Sequence, residues 1–208
     1  MLLKRIFDII VSFFGLLFLW PLMVLLAILI RLTSDGLVFF FQKRVGKDGK
    51  LFNCVKFRTM ITNSEKNGTV TVATDTRITS IGAFLRRYKL DEFPQLWNVL
   101  IGKMSFVGPR PDVPGYADKL EGDDRKILEL RPGITGPASI CYKNEEKILD
   151  KCNDPQKFND EVIWPHKVQI NLKYYNNYSF VKDILYMIIT FIPQLNNYLG
   201  IIEKPKKV

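Results

Sequence analysis

Two adjacent carboxylates, Asp91 and Glu92, mark the part of the sequence best suited to chemistry. They stand in residues 86–112, RRYKLDEFPQLWNVLIGKMSFVGPRPD, between a basic cluster and a proline-flanked arginine, Arg110. Neighbouring acids repel each other, so a site that keeps both ionised supplies a cation, and coupled carboxylates can have their pKa values pushed apart. The pair therefore predicts either a solvated turn or a reaction centre.

Arg110 is the strongest candidate for a phosphate-binding residue in this region. Proline on either side restricts the backbone, which lowers the ordering cost of presenting a planar guanidinium that matches phosphate oxygens bidentately. A second turn, LRPGITGP at residues 130–137, offers Arg131 and the backbone amides near Gly133 and Gly136. The alternative for either turn is that glycine and proline only shape the chain while the arginine stays in water.

The composition of the 208-residue chain favours an anionic partner. Hydrophobic residues make up 47% of it, and 30 Lys and Arg against 21 Asp and Glu give a formal net charge of +9. This charge suits a nucleic acid, an acidic bilayer surface or a phosphorylated substrate, and the apolar fraction favours the bilayer. The three cysteines lack zinc spacing, which indicates reduced thiols in the cytoplasm, and the single histidine, His166, argues against a histidine-based triad.

The strongest single signal is an almost uninterrupted apolar segment at residues 6–30, IFDIIVSFFGLLFLWPLMVLLAILI. As a helix it would extend roughly 37 Å at ~1.5 Å per residue, enough for a bilayer core of about 30 Å. A secretory signal is disfavoured because the segment is too long and no small-residue cleavage site follows it. The segment therefore predicts a membrane helix.

Pro21 and the flanking charges bear on the path of this helix through the bilayer. Proline deletes a backbone hydrogen bond and bends a helix, and basic residues, which favour the cytoplasmic side, flank both ends of the segment. A helix that enters, bends near Pro21 and leaves by the same face satisfies both flanks. The alternative is a kinked transmembrane anchor with one basic flank outside. We accordingly divide the chain into a re-entrant membrane helix at residues 1–33, a cytoplasm-facing domain at 34–200 and a basic tail at 201–208.

Turn residues and periodicity predict the elements that position the acid pair. Residues 37–60 predict a β-hairpin that turns at residues 46–49, and residues 62–69, TNSEKNGT, predict a mobile loop. A helix starting near Thr79 runs through TSIGAFLRRYKLDE, and Pro94 starts a second helix, PQLWNVLIG, which Gly102 closes. Asp91 and Glu92 thus fall at a corner between two helices, where their side chains can point into a cleft.

The C-terminal third predicts helices joined by an Asp-Pro turn. Tyr174, Tyr175 and Tyr178, with Trp164, form either an aromatic belt at a membrane surface or part of the core and its rim. Residues 180–192, FVKDILYMIITFI, either lie along the membrane surface or close the core, and the tail EKPKKV is expected to be frayed. Together these segments predict a small, membrane-associated, helix-rich α+β fold with amphipathic surface helices.

The order of the motifs KFRTM, LRRYKLDEFPQLWNVLIGKMSFVGPRP and RPGITG behind a hydrophobic helix resembles one family of bacterial sugar transferases. These are the monotopic polyprenol-phosphate phosphoglycosyl transferases, and the resemblance extends from residue 4 to about residue 136. It implies a membrane enzyme that transfers a sugar-1-phosphate from a UDP-sugar to undecaprenyl phosphate, releasing UMP and forming an undecaprenyl-diphosphate sugar. It also implies a re-entrant helix with a proline break, in agreement with the argument from Pro21.

The resemblance implies roles for individual residues. Asp91 would be the nucleophile, Mg2+ would bind near both carboxylates, and Glu92 would either help to bind the metal or take a proton from the acceptor phosphate. A carboxylate that attacks phosphorus forms an acyl phosphate and splits one difficult transfer into two easier ones. Because donor and acceptor are both anionic, metal and basic side chains would neutralise the phosphate oxygens. The candidate phosphate-binding residues are Lys56, Arg58, Arg86, Arg110 and Arg131.

The sequence departs from the family pattern directly after RPGITG. Many members continue with WAQVNGRN, whereas this chain continues with PASICYKNEEKILDK. An arginine is thereby missing, and Lys143 is the candidate replacement, with less geometric specificity for phosphate.

Functions of other classes are also compatible with parts of the sequence. A membrane-bound nucleotide-sugar glycosyltransferase would release UDP and need no covalent enzyme, and a non-catalytic scaffold of a glycan-assembly complex would leave the acid pair unused. A nucleic-acid-binding protein would explain only the charge, and the sequence contains no recognised nucleic-acid motif. The expected partners are a UDP-sugar, undecaprenyl phosphate and the bacterial inner membrane, with the site facing the cytoplasm. A homodimer is compatible with the sequence.

Overall fold

The computed structural model describes residues 2–61 and 76–206, so the loop predicted at residues 62–69 lies outside the described residues. The helices are α1 (Leu2–Thr33), α2 (Ser80–Arg87), α3 (Gln95–Leu100), α4 (Pro137–Cys141), α5 (Glu145–Leu149), α6 (Pro155–Phe158), α7 (Trp164–Asn176), α8 (Phe180–Phe191) and α9 (Leu195–Leu199). The strands are β1 (Phe39–Val45), β2 (Leu51–Phe57), β3 (Ser105–Val107) and β4 (Gly133–Thr135). The predicted helix-rich fold with small sheets is confirmed.

The N-terminal helix α1 is the one helix of the described residues that is long and apolar enough to cross a membrane. Its large apolar side chains stay exposed along most of its length; Phe18 is 73% exposed and Trp20 59%. A core helix of a soluble protein would bury such side chains, so α1 suits a membrane environment. The helix continues through Pro21 rather than stopping there, because proline removes one backbone hydrogen bond without necessarily ending a helix.

The N-terminal half of α1 is tied to the rest of the protein by polar contacts. Lys4 Nζ pairs with Asp183 Oδ2 in α8 at 2.5 Å, and Asp8 Oδ1 accepts a hydrogen bond from the Phe106 amide of β3 at 3.1 Å. Arg5 donates hydrogen bonds of 2.6 and 2.8 Å to the last two carbonyls of α3. These groups form a polar stripe on an otherwise apolar helix, and the stripe faces the domain.

The C-terminal half of α1 packs against the same domain through apolar contacts. Leu26 and Ile30 are buried in a cluster with Phe57 of β2 and Leu85 of α2. Past the end of the helix, the Arg58 guanidinium donates hydrogen bonds to the backbone carbonyls of residues 34 and 35. Both ends of α1 therefore lie against one folded domain.

The hairpin of β1 and β2 is antiparallel, as predicted, and an amide side chain completes its inner edge. Asn98 Oδ1 accepts a hydrogen bond from the Val55 amide at 3.0 Å, and Asn98 Nδ2 donates one to the Asn53 carbonyl at 2.9 Å. The amide thus replaces a third strand and satisfies backbone groups of β2 that β1 does not reach. It also fixes β2, which carries Lys56, against α3.

The predicted corner between two helices is present, but its first helix is shorter than expected. Helix α2 ends at Arg87, and Lys89 takes the left-handed conformation with φ of 57°, which a continuing helix does not allow. A 3-10 turn, Leu90–Glu92, then carries the acid pair. Helix α3 follows Pro94 and closes near Gly102, whose φ is 81°, as the sequence predicted.

The segment predicted as a second turn, LRPGITGP, instead contains the strand β4, which pairs in parallel with β3. Hydrogen bonds run from the Gly108 amide to the Thr135 carbonyl at 2.9 Å and from the Gly133 amide to the Pro109 carbonyl at 2.8 Å. A Cβ atom at Gly108, Gly133 or Gly136 would overlap backbone atoms of the opposing segment. The three glycines therefore let the GPRP and RPGITG motifs meet backbone to backbone.

The tyrosines of α7 and its C-terminal end belong to the core and its rim rather than to a membrane belt. Tyr174 is 4% exposed and donates a hydrogen bond to Asp183 at 2.6 Å, and Tyr178 packs edge-on against it. Tyr175 donates to Glu129 at the surface. Helix α8 closes this core with one face, while Phe191 at its end is 85% exposed.

The C-terminal tail is folded onto the domain as far as Lys206, so the fraying expected for EKPKKV is wrong for residues 203–206. Ile202 is 6% exposed, Glu203 pairs with Lys173 at 2.7 Å, and the Lys206 amide donates to the Tyr142 hydroxyl at 3.2 Å. The tail is basic overall, but Ile202 anchors it by apolar packing and Glu203 anchors it by an ion pair. The predicted Asp-Pro turn is present as the N-terminal cap of α6.

Candidate active site

The 3-10 turn between α2 and α3 places both carboxylates of the acid pair inside the protein. Asp91 is 8% exposed and Glu92 9%. Buried carboxylates carry a large desolvation cost unless cations or hydrogen bonds compensate them. A solvated turn is therefore excluded as the description of this pair.

Glu92 is the compensated member of the pair. Its Oε1 lies 2.6 Å from Arg110 Nη2 and 3.2 Å from Lys56 Nζ. Burial raises the pKa of Glu92, but Arg110 and Lys56 together outweigh burial and hold the pKa well below its usual range. Glu92 is consequently an ionised anchor for two cations, and a weak base.

Asp91 is the uncompensated member of the pair. Its Oδ1 is buried and has no hydrogen-bond partner among residues 2–61 and 76–206. Burial raises the pKa of Asp91, Lys56 opposes this effect and the charge of Glu92 adds to it, so that the net shift is upward. A carboxylate with a raised pKa and few hydrogen bonds is more basic and less solvated, and such an oxygen is a better nucleophile.

Divalent metal binding can be judged from the oxygens that the site leaves free. Among the described residues no group of three or more His, Cys, Asp or Glu side chains is arranged to hold a metal. The candidate ligand for Mg2+ is Asp91, whose Oδ1 has no hydrogen-bond partner among the described residues, since Mg2+ takes one or two carboxylates and fills its shell with phosphate oxygens and water. Glu92 fits less well, because Arg110 and Lys56 already neutralise it.

Two of the predicted phosphate-binding residues, Lys56 and Arg110, meet at the acid pair. Arg110 is held by the proline-flanked loop; its Nη2 atom pairs with Glu92, and its side chain as a whole is 42% exposed. Lys56 reaches the same carboxylate from β2. The sequence argument for a proline-stiffened arginine thus leads to a cation that is paired with Glu92 and still partly exposed.

The other candidates lie in different surroundings, and their binding of phosphate stays a prediction. The Arg58 guanidinium is buried against the end of α1. Arg131 donates to the Gly102 carbonyl at 2.9 Å, beyond the end of α3 that is opposite the acid pair. Arg86 pairs with Glu146 of α5, whereas Lys143 is exposed and has no side-chain hydrogen bond or ion pair with the described part of the chain.

Asp112 and Arg44 belong to the same polar region but were not singled out from the sequence. Arg44 donates to the Pro111 carbonyl at 2.9 Å, and the Val45 amide donates to the Asp112 carbonyl at 2.8 Å, which ties β1 to the loop of Arg110. Burial raises the pKa of Asp112 to about 6 against the opposing charges of Lys167, Arg44 and Arg110. The PRPD string held the signal for Asp112, since it stands two residues after the predicted phosphate-binding arginine.

Gln95 and Asn98 are further residues whose roles appear only in the structure. Gln95 is 2% exposed, and its Nε2 has no hydrogen-bond partner within the described ranges. Asn98 completes the edge of β2, as described above. Both belong to the string PQLWN, and their position as polar residues on either side of Leu96 and Trp97 was the sequence feature that could have drawn attention to them.

Comparison with known proteins agrees with these motifs. Residues 1–197 match the family described as bacterial sugar transferase. The chain is 38% identical over 181 residues to the UDP-glucose:undecaprenyl-phosphate glucose-1-phosphate transferase of Escherichia coli (strain K12), covering 83% of this chain and 38% of that protein. It is 30% identical over 198 residues to the exopolysaccharide production protein ExoY of Sinorhizobium fredii, covering 88% of this chain and 80% of that protein.

A third relative is shorter. The putative undecaprenyl-phosphate N-acetylgalactosaminyl 1-phosphate transferase of Bacillus subtilis (strain 168) is 44% identical over 121 residues, covering 58% of this chain and 68% of that protein. The chain spans well under half of the E. coli protein and of a similar transferase from Xanthomonas campestris, of which it covers 38%. The match to the family nevertheless extends over nearly the whole chain, and this protein belongs to the bacterial sugar transferase family.

Proposed function

We propose that this protein is a phosphoglycosyl transferase that moves a sugar-1-phosphate from a UDP-sugar to undecaprenyl phosphate, releasing UMP. The observation that carries the proposal is the electrostatic division of the acid pair, with Glu92 held by Arg110 and Lys56 and the Oδ1 atom of Asp91 left without a hydrogen-bond partner among the described residues. The substrates are inferred from the names of two of these relatives, a UDP-glucose:undecaprenyl-phosphate glucose-1-phosphate transferase and a putative undecaprenyl-phosphate N-acetylgalactosaminyl 1-phosphate transferase. These names differ in the sugar, so we propose the UDP-sugar only as a class.

In the first step, a carboxylate oxygen of Asp91 attacks the β-phosphorus of the UDP-sugar. The bond between this phosphorus and the oxygen that bridges to the α-phosphate breaks, and UMP leaves with that oxygen. The product on the enzyme is an acyl phosphate that joins Asp91 to the sugar-1-phosphate. Desolvation of Asp91 supports this role, because the attacking oxygen sheds little water.

In the second step, a phosphate oxygen of undecaprenyl phosphate attacks the same phosphorus. The acyl phosphate bond breaks, the Asp91 carboxylate is restored, and undecaprenyl-diphosphate sugar forms. Both nucleophiles are anions at neutral pH, so no strong base is required. The low pKa of Glu92 agrees with this chemistry and favours a positioning role over proton transfer.

The cations of the site act on the phosphate oxygens. The partly exposed guanidinium of Arg110 can donate hydrogen bonds to two oxygens of one phosphate, and Lys56 supplies a point charge beside it. Asp91 is the residue best suited to hold Mg2+ together with substrate phosphates, and the bound metal would neutralise charge on the diphosphate. Glu92 keeps both cations oriented when no substrate is present.

We further propose that α1 is a re-entrant helix in the bacterial inner membrane and that the site faces the cytoplasm. Lys4 and Arg5 hold one end of α1 to the domain, and Leu26 and Ile30 pack the other end against it. A straight span would carry one end across about 30 Å of hydrocarbon, away from the domain. Basic residues at both ends favour the cytoplasmic side.

The proposal can be tested on purified protein in nanodiscs, with UDP-sugars labelled at the β-phosphate, Mg2+ and no lipid acceptor. We expect intact mass spectrometry to detect a protein-bound sugar phosphate and chromatography to detect one equivalent of UMP. The Asp91→Asn variant should lose both signals, whereas Asp123→Asn, which alters a surface acid far along the chain, should retain them. Release of UDP would instead indicate a glycosyltransferase, and the absence of turnover with acceptor present would indicate a scaffold.

A further inference from the structure

An apolar groove runs along the exposed side of the C-terminal half of α1. It has a volume of about 340 Å3, at the lower end of the range of roughly 300–1,000 Å3 that ligand sites occupy. Its lining residues are Val24, Ala27, Ile28, Arg31, Leu32 and Val38, and we call it the α1 groove. Every lining residue except Arg31 is apolar, so the groove suits a hydrocarbon chain and not a polar ligand.

The floor of the α1 groove continues into the apolar cluster beneath the acid pair. Ala27 and Val38 line the groove and also pack on the cluster that includes Phe57 and Leu90. Leu90 directly precedes Asp91, and Phe57 directly follows Lys56. The groove therefore shares one apolar cluster with residues that are sequence neighbours of Asp91 and Lys56.

The wall of the groove that faces the surroundings is formed by residues with exposed side chains. Val24 is 48% exposed, Ile28 50% and Leu32 77%, and their spacing of four residues places them in one row along the helix. In the membrane position proposed for α1, this row borders the lipid. A ligand could thus enter sideways from the bilayer.

Arg31 gives the groove one charged end. Its guanidinium is exposed and donates one hydrogen bond, of 3.2 Å, to the Gly36 carbonyl. Arginine near the end of a membrane helix extends its guanidinium toward the headgroup region while its stem stays with apolar neighbours. The charged end suits a phosphate group on a lipid whose chain lies in the groove.

We propose that the α1 groove binds the isoprenoid chain of the acceptor, next to its phosphate, with Arg31 at the headgroup end. The inference rests on the proposed function and extends it by naming where the acceptor lipid is held. The connection to Leu90 favours the acceptor over a bulk phospholipid, because only the acceptor has to deliver its phosphate to Asp91. Acceptor binding is thereby assigned to α1, and donor chemistry to the turn between α2 and α3.

The first test fills the groove and measures the two half-reactions separately. Val24→Trp adds volume at a half-exposed position, and Leu25→Trp, at a 52% exposed position beside it but outside the groove, is the matched control. We expect Val24→Trp to raise the KM for undecaprenyl phosphate about tenfold, whereas Leu25→Trp leaves it within about twofold. Formation of the covalent sugar phosphate from donor alone should be unchanged in both variants.

The second test changes the charge and maps the ligand directly. Arg31→Gln should raise the KM for the acceptor several-fold, and Arg31→Lys should restore much of it, because the lipid phosphate needs a cation at that end. A polyprenyl phosphate carrying a photoreactive diazirine in its first isoprene units should crosslink to the peptide that contains residues 24–38. Unlabelled polyprenyl phosphate should compete with this crosslink, and phosphatidylglycerol at the same concentration should not.

Two results separate the failure of this inference from the failure of the proposed function. If wild-type protein forms no covalent intermediate and transfers no sugar phosphate, the proposed function itself is wrong. If the intermediate forms normally but Val24→Trp and Arg31→Gln leave the acceptor KM unchanged, the groove does not bind the acceptor. Crosslinks that phosphatidylglycerol displaces as well as polyprenyl phosphate does would likewise overturn the inference and mark the groove as a general lipid contact.

Discussion

Arg110 Nη2 lies 2.6 Å from Glu92 Oε1, and this contact makes two neighbouring carboxylates electrostatically unequal. The pKa of Glu92 is held low by Arg110 and Lys56 in spite of burial, while burial raises that of Asp91. The more basic member, Asp91, is suited to attack, and the other is suited to hold cations. Because the two acids differ in this way, replacing each of them should have a different effect.

Replacing Asp91 by Asn should stabilise the protein while it removes activity. Because the pKa of Asp91 is raised by burial, its charged form destabilises the folded state at neutral pH, and a neutral amide removes that cost. We expect the Tm to rise by about 2 °C or more, roughly the effect of 1 kcal/mol at this chain length. Thermal unfolding in detergent provides the measurement, and a clear fall in Tm would show that Asp91 is compensated by contacts other than those described.

Glu92 and Arg110 should behave as one unit. Glu92→Gln leaves Arg110 without its anion, and Arg110→Ala leaves Glu92 buried with only Lys56, so each change alone should lower kcat/KM by about 100-fold or more. The double variant should lose much less than the product of the two effects, since the two residues interact directly. Full additivity of the two effects in this double-mutant cycle would show that Glu92 and Arg110 act independently.

Arg110→Lys tests geometry, because lysine keeps the charge without the planar fork.

The rate of covalent labelling should fall at low pH. Asp91 must be deprotonated to attack, so the rate should rise with pH through its pKa, at a midpoint above the ordinary value of 3.8. Glu92 has a pKa below its usual range and should stay ionised throughout, so Glu92→Gln should leave this midpoint visible if residual activity permits measurement.

Asp112 supplies the control for this pH profile. Burial raises the pKa of Asp112 to about 6, so its titration can add a second decrease in the labelling rate on the acidic side of the pH profile. We expect Asp112→Asn to keep the midpoint that belongs to Asp91. If the Asp112→Asn variant no longer loses labelling rate at low pH, the group that titrates is Asp112 and not Asp91.

Pro21→Leu should shift part of the population from the re-entrant to a spanning topology. Leucine restores the backbone N–H that proline lacks and straightens the helix. In inverted and right-side-out vesicles, a cysteine introduced at Leu2 should react with an impermeant maleimide from the cytoplasmic side in the wild-type background. A periplasmically reactive fraction should appear with Pro21→Leu, as identified by peptide mass spectrometry. Identical labelling in both backgrounds would mean that the polar contacts of Lys4 and Arg5, and not Pro21, determine topology.

Asn98→Leu should destabilise the fold at the strand that carries Lys56. The change leaves the Val55 amide and the Asn53 carbonyl without their partner, and each of these part-buried hydrogen bonds contributes about 0.5–1.5 kcal/mol. We expect a lower Tm and a higher KM for the UDP-sugar. Trp97→Leu, at the neighbouring 52% exposed position, is the control and should change the Tm little.

Local sequence signals predicted the elements around the site because those elements depend on neighbouring residues. Turn glycines fixed the hairpin, Pro94 the start of α3, and the flanking prolines the loop of Arg110. Helix α2 stopped short of the acid pair because Lys89 adopts a left-handed backbone, for which a lysine gives no signal.

The sequence could not predict which residues far apart in the chain contact each other. Lys56 and Arg58 are two residues apart and would share a face of a continuing strand, but β2 ends at Phe57 and Arg58 turns to the end of α1 instead. The sequence predicts only a turn where the strand β4 lies, because its partner β3 is a distant segment and parallel pairing leaves no local signature. Lys4 likewise meets Asp183 only in the folded protein.

The glycine contacts between β3 and β4 have a consequence for how sequences of this fold can change. Gly108, Gly133 and Gly136 leave no space for a side chain where the two motifs touch. The intervening residues 113–130 include two 3-10 segments and the glycines at 115 and 122, where an added Cβ atom would meet no other atom within 4 Å. Insertions at the turns around Gly115 and Gly122 should be accepted as long as the chain returns to the same contact between β3 and β4, whereas Ala117, Ile127 and Leu128 of this stretch are buried. Evolution and protein engineering can therefore lengthen those turns while the position of Arg110 over the acid pair is inherited unchanged.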